Sequence, residues 1–75
     1  MGIKFSRHAK RRMKLYKIPE RLIIDILAQL EVSEGLHELI EEIEGFKYPL
    51  KIVFSVQNEH KTVVTTYPLK KGLSK

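Results

Sequence analysis

The stretch FSRHAKRRM, Phe5 to Met13, places His8 among Arg7, Lys10, Arg11 and Arg12. An imidazole with an unperturbed pKa near about 6.5 can take up or release a proton close to neutrality. A guanidinium can grip a phosphate through two parallel hydrogen bonds. His8 and Arg12 are four residues apart, which puts them on one side of a helix. Together they could exchange a proton and hold an anion. A second group lies near the other end: Thr65, Thr66, Tyr67 and Lys70. Hydroxyls and a lysine at a strand end can hold phosphate, and a tyrosine can stack a base or donate a proton. On spacing alone the plainer readings come first: an ordinary half-exposed histidine, an arginine stem covering apolar surface, threonines as strand formers and a tyrosine at the core edge.

The remaining candidates carry less chemistry. His37 and His60 have no metal-ligand spacing to each other or to His8, and there is no cysteine. No metal or other cofactor is therefore expected, and thiolate zinc sites, redox motifs and cysteine nucleophiles are excluded. Glu41 and Glu42 point to opposite faces if they lie on a strand. No glycine-rich phosphate loop or nucleophile elbow is present.

The elements that must position these residues can be read from periodicity. Ser6 is a good N-cap, and Phe5, Ala9, Met13 and Tyr16 share one stripe, which predicts a helix from about Arg7 to Tyr16. With Phe5 at zero and about 100° per residue, the apolar stripe covers about 0° to 80°, with Arg12 near about −20° and His8 near about −60°. Both are expected at its border, with Lys10, Arg11 and Lys14 toward solvent. Pro19 opens a second helix carrying Leu22, Ile23, Ile26, Leu27 and Leu30, to about Leu30. Leu50, Ile52, Phe54 and Val56 then alternate as one buried strand face, Gln57 to Lys61 turns, and TVVTTY returns as the second arm of a hairpin closed by Pro68. In GLHELIEEIEG the spacing of Leu36, Leu39, Ile40 and Ile43 slightly favours a helix, whereas a third strand would give the helices a sheet to cover.

Size and charge set the frame. The 75 residues make one domain, 1–75, with 70–75 expected as a flexible tail. Such a chain buries only about 60% of its unfolded surface. Its stability should be about 4 to 11 kcal/mol. The net charge is +5, unevenly spread. Met1 to Arg21 holds eight Lys or Arg against Glu20 alone, Leu22 to Phe46 holds seven acids and no Lys or Arg, and Lys47 to Lys75 holds six lysines against Glu59. If the basic ends meet in space they form a surface that attracts phosphate backbones. No apolar run is long enough to cross a bilayer and no secretion signal is visible, so a cytoplasmic protein is expected.

The motifs HAKRRM, KIPERLIIDIL, LKIVFSV and TVVTTYP resemble the small bacterial and archaeal family called domain of unknown function 4258. Its members open with a pattern like H-A-R-x-R-M-x-x-R-G-I and close with a strand ending near T-x-Y-P. His8, Ala9, Lys10, Arg12, Met13 and Ile18 fit the first motif, and Thr65, Tyr67 and Pro68 fit the second. Tyr16 stands where the family often has arginine, and Lys17 where it has glycine. If that arginine holds phosphate in relatives, Lys14, Lys17 or Arg21 must replace it. The family in turn resembles the barnase, EndoU, colicin and RelE nucleases and the BrnT-type toxins. That resemblance implies an α+β, RelE-like fold, with two N-terminal helices on an antiparallel sheet of about three strands and GLHELIEEIEG as a strand. It also implies a metal-independent endoribonuclease of toxin type. His8, Arg12 and Tyr67 would be its catalytic residues, and Lys10, Arg11, Lys14, Lys17, Thr65 and Lys70 its nucleic-acid contacts. RNA and an antitoxin protein are the expected partners, and the oligomeric state is not legible. The alternatives are a non-catalytic nucleic-acid-binding module and a protein-interaction domain whose acidic middle docks a basic partner or its own twin.

Overall fold

A computed structural model of the chain describes residues 2–69. Its elements are β1 (Gly2–Phe5), α1 (Arg7–Tyr16), α2 (Glu20–Ala28), β2 (Gly35–Glu41), β3 (Leu50–Gln57) and β4 (His60–Pro68). The four strands form one sheet in the order β1-β4-β3-β2. β2, β3 and β4 are antiparallel neighbours, and β1 runs parallel to β4. The architecture is α+β, with a mixed four-stranded sheet where three antiparallel strands were expected. The added strand is β1. Its four residues include a glycine and carry no strong strand pattern, so pairing with β4 gives it a structure that its own composition does not specify.

Local chemistry explains the boundaries. The Ser6 hydroxyl accepts from the Ala9 N–H at 3.0 Å, capping α1, and donates to the Val64 carbonyl at 2.8 Å. The Ser6 N–H also donates to the Val63 carbonyl at 2.9 Å. One serine thus ends β1, starts α1 and ties both to β4. At the other end of α1, Lys17 turns left-handed at φ 59, ψ 47. Its N–H reaches the Lys14 carbonyl, and the Ile18 N–H donates to Met13 O at 2.8 Å. This crossed pair of bonds, with Met13 and Ile18 both buried, is a Schellman stop. α2 starts one residue after Pro19 and ends two residues before Leu30, slightly inside the predicted bounds.

Residues 35–41 form a strand, although their local spacing slightly favours a helix. All seven pair with β3, from Gly35 opposite Val56 to Glu41 opposite Leu50. Tertiary pairing overrides the local period here. The β3–β4 hairpin turns tightly through Asn58 and Glu59, both at positive φ (52 and 65), between the paired Gln57 and His60. That is the left-handed backbone of a two-residue hairpin loop matched to the sheet twist. Glu34 accepts from the Asn58 N–H at 2.8 Å, holding the entry of β2 to this turn.

Both helices cover one face of the sheet. Ala9 and Met13 of α1, Ile18, and Ile23 and Leu27 of α2 close over Leu50, Ile52, Phe54 and Val56 of β3 and Val63 of β4. Burying each large apolar side chain contributes about 1.5 to 3 kcal/mol against the chain entropy. Phe54 opposes Val63, whereas Val53 opposes Thr65, so Val64 is an extra residue, a β-bulge. The bulge shifts the alternation of β4. Val63 and Thr66 both face the helices, and Thr65 and Tyr67 share the uncovered face with Val53 and Lys51.

Candidate nucleic-acid interface

Because β1 ends at Phe5 and Ser6 caps the helix, Phe5 does not belong to the α1 wheel. The buried arc of α1 instead centres between Ala9 and Met13. At about 100° per residue, Arg12 then lies about 80° from that centre and His8 about 120°. The burial agrees: Arg12 is half-buried, while His8 is exposed and not at the border where the wheel built on Phe5 put it. Lys10, Arg11 and Lys14 are exposed as predicted, together with Arg7, and Lys17 is exposed at the left-handed turn. α1 contains five Lys or Arg and no acid. Neither the His8 nor the Arg12 side chain forms a hydrogen bond or ion pair with another described residue. They stand one helical turn apart, uncompensated, on a strongly cationic helix.

The second group separates from the first. Tyr67 opposes Lys51 across the β4–β3 ladder, on the sheet face that the helices leave open. There the Glu38 carboxylate lies 3.1 Å from Lys51 Nζ. The hydrogen bond that Lys51 donates to Glu38, then the Glu38 charge, then Tyr67 raise the Lys51 pKa above its ordinary 10.5. Tyr67 is thus a member of a Glu38, Lys51 and Tyr67 cluster and does not pack with His8 and Arg12 over the covered face. The alternation of β4, reset by the bulge, is the cause. Thr65 also faces the open side, but its hydroxyl oxygen is covered and has no hydrogen-bond partner among the described residues; the Thr66 hydroxyl, on the helix side, is likewise buried without one. Lys70 and the tail expected at 70–75 lie outside the described residues.

Sequence reasoning passed over Lys51 and Glu38. Lys51 lies within LKIVFSV but reads there as an ordinary exposed strand position, Glu38 belongs to no motif, and only the strand register brings them together. The other histidines have structural surroundings. His37 stacks on Phe54 with ring centroids 5.5 Å apart, and its Nε2 lies 2.6 Å from the Ser33 carbonyl. The His60 ring lies beside Gly2, where Nδ1 would be 3.3 Å from an added Cβ. Among the described residues no three His, Asp or Glu side chains group as metal ligands do. No described helix is long and apolar enough to cross a membrane.

Residues 5–68 match the family profile described as Domain of unknown function (DUF4258). The chain belongs to that family. The matched span runs from Phe5, at the end of β1, to Pro68, at the end of β4, so both helices and the whole hairpin lie within the family's domain. It includes both motifs, HAKRRM and the closing T-x-Y-P. No curated protein and no solved structure matches the chain.

Proposed function

We propose that this chain is a metal-independent endoribonuclease of toxin type, acting through His8 and Arg12 of α1. The observation that carries the reading is the pair itself: an exposed imidazole and a half-buried guanidinium, one turn apart and unpaired among the described residues, on a helix with five Lys or Arg and no acid. Arg12 and the exposed Lys10, Arg11, Lys14 and Lys17 draw in the RNA backbone. In the reaction His8 removes the proton from a ribose 2′-hydroxyl. The 2′-oxygen attacks the adjacent phosphorus while Arg12 neutralises the charge that grows on the phosphoryl oxygens. The bond from phosphorus to the 5′-oxygen breaks, and the protonated His8 returns its proton to the leaving oxygen. The products are a 2′,3′-cyclic phosphate and a 5′-hydroxyl end. Tyr67 enters through RNA that also crosses the open face, where its phenol stands beside Lys51. Both motifs of the family, on which the expected resemblance to the RelE group rests, lie within the matched span. In this reading, an antitoxin protein keeps the nuclease silent.

A second reading, RNA binding without cleavage, is favoured by one observation: no second acid or base is hydrogen-bonded to His8 among the described residues. One experiment separates the two. Purified protein is incubated with end-labelled RNA in EDTA, and binding and cleavage are followed together. Cleavage that disappears in His8→Ala and Arg12→Ala while binding survives in His8→Ala is the expected result. Binding without cleavage by the wild type selects the second reading. Cleavage that survives both substitutions removes His8 and Arg12 from the chemistry.

A further inference from the structure

The sheet has two edges, and they differ. β1 is four residues long and bears Lys4, a short, cationic edge of the kind that resists unwanted pairing. β2 is seven residues long, pairs with β3 throughout without a bulge, contains no proline, and has no strand on its outer side. It therefore presents a regular row of backbone donors and acceptors without the usual means of blocking them.

Its side chains form a pattern. On the open face, Leu36 is 67% exposed and Ile40 57% exposed, and Glu38 lies between them. Lys51 holds the Glu38 carboxylate from the β3 side at 3.1 Å, yet Glu38 remains well exposed and can receive a second cation from the outer side. On the covered face Leu39 packs against the core and His37 against Phe54, so the strand is held in place. The segment is acidic: β2 ends on Glu41, Glu31, Glu34, Glu42 and Glu44 flank it in the sequence, and residues 22–46 contain no Lys or Arg.

We propose that the outer edge of β2 is a docking site for an extended segment of a partner protein, one in which a lysine or arginine is flanked two residues away on each side by an apolar residue. Such a segment adds a fifth strand through main-chain hydrogen bonds, with side chains giving specificity. Its apolar residues cover Leu36 and Ile40, and its cation meets Glu38 opposite Lys51. The pattern reads the same in both directions, so it fits parallel and antiparallel addition alike. A second copy of this chain fits poorly. The two-fold antiparallel pairing that sets Leu36 against Ile40 also sets Glu38 against Glu38, and like charges directly opposite destabilise a ladder. It would also join two acidic segments. Charge complementarity therefore selects a basic partner strand.

The test is an NMR titration of the full chain with the peptide acetyl-TVTKTVT-amide, and with acetyl-TVTETVT-amide as control. The lysine peptide should shift the amides of residues 35–41 and of Lys51, Val53 and Ser55, and the glutamate peptide should not. Glu38→Lys combined with Ile40→Lys, two changes on an exposed surface, should weaken the response by about tenfold or more while circular dichroism shows an intact fold. Arg12→Ala should leave the response unchanged, which keeps this site separate from the α1 reading. Equal responses to both peptides, shifts that map to another surface, or no shifts at all would overturn the proposal. So would sedimentation showing a dimer that Ile40→Lys dissociates, because the occupant would then be a second copy.

Discussion

Along β3 the two faces of the sheet alternate residue by residue. Leu50, Ile52, Phe54 and Val56 are buried under the helices, while Lys51, Val53 and Ser55 are half-exposed on the open side. α1 repeats the division, with Ala9 and Met13 inward and a cationic surface outward. In a chain this small the one buried face carries most of the stability, and the groups available for recognition, polar and apolar alike, are on the other. Mutations in the two sets should therefore behave differently.

The largest effect is expected at Phe54, the biggest fully buried side chain. Phe54→Ala should cost about 3 to 5 kcal/mol through lost transfer energy and the cavity left behind. With about 4 to 11 kcal/mol in total, that leaves the fold marginal or unfolded at ambient temperature. Val53→Ala, one residue away on the open face, should cost markedly less. Urea unfolding followed by circular dichroism measures both, and equal costs would break the comparison.

Next is Ser6, where the two sets meet. Ser6→Ala removes the hydrogen bond that caps α1 and the one to the bulge at Val64. The expected loss is about 1 to 2 kcal/mol, above a simple cap, because two bonds depend on one hydroxyl. A loss no larger than a few tenths would mean that water replaces both.

Lys17 should give a gain. It holds a left-handed conformation that costs a residue with a Cβ about 1 kcal/mol, and glycine avoids that cost. Lys17→Gly should raise stability by about 0.5 to 1 kcal/mol in the same unfolding assay. The glycine that the family's opening pattern carries at this position then has a physical reason: it is the Schellman residue that ends α1. If Lys17 serves RNA binding, the same variant should bind RNA more weakly while being more stable, so the two assays together separate its roles.

The sequence made much of this legible. The helix bounds of α1, the hairpin and the buried alternation of β3 follow from period and capping, because those signals are local. β1 was not legible, since GIKF is too short and too mixed to read as a strand, and taking Phe5 for a helix residue displaced the expected position of His8 toward the core. β2 was legible only through family resemblance. Its alternation is imperfect as a strand because it is an edge whose open side keeps Leu36 and Ile40. The bulge at Val64 has no glycine to mark it, yet it decides which face Thr65 and Tyr67 occupy. Side-chain positions on a strand follow from its register, and that register is set by residues far away in the chain.

The smallest effect expected is at the open face itself, in the pair Lys51 and Glu38. Lys51 titrates above 10.5 in the fold because Glu38 accepts its hydrogen bond and supplies the opposite charge, with Tyr67 adding to both. A lysine raised in this way contributes its stabilisation fully below its unfolded pKa and loses it as pH rises through the folded value. Glu38→Gln should therefore bring the Lys51 pKa down toward 10.5, read from the pH dependence of its ε-methylene signals by NMR. The difference in melting temperature between wild type and variant should be small at neutral pH, because the pair is exposed, and should close above 10.5. Tyr67→Phe should lower the same pKa by less than Glu38→Gln does. If the order of the two variants is reversed, the phenol holds Lys51, and Glu38 is left open for an incoming cation on the edge of β2.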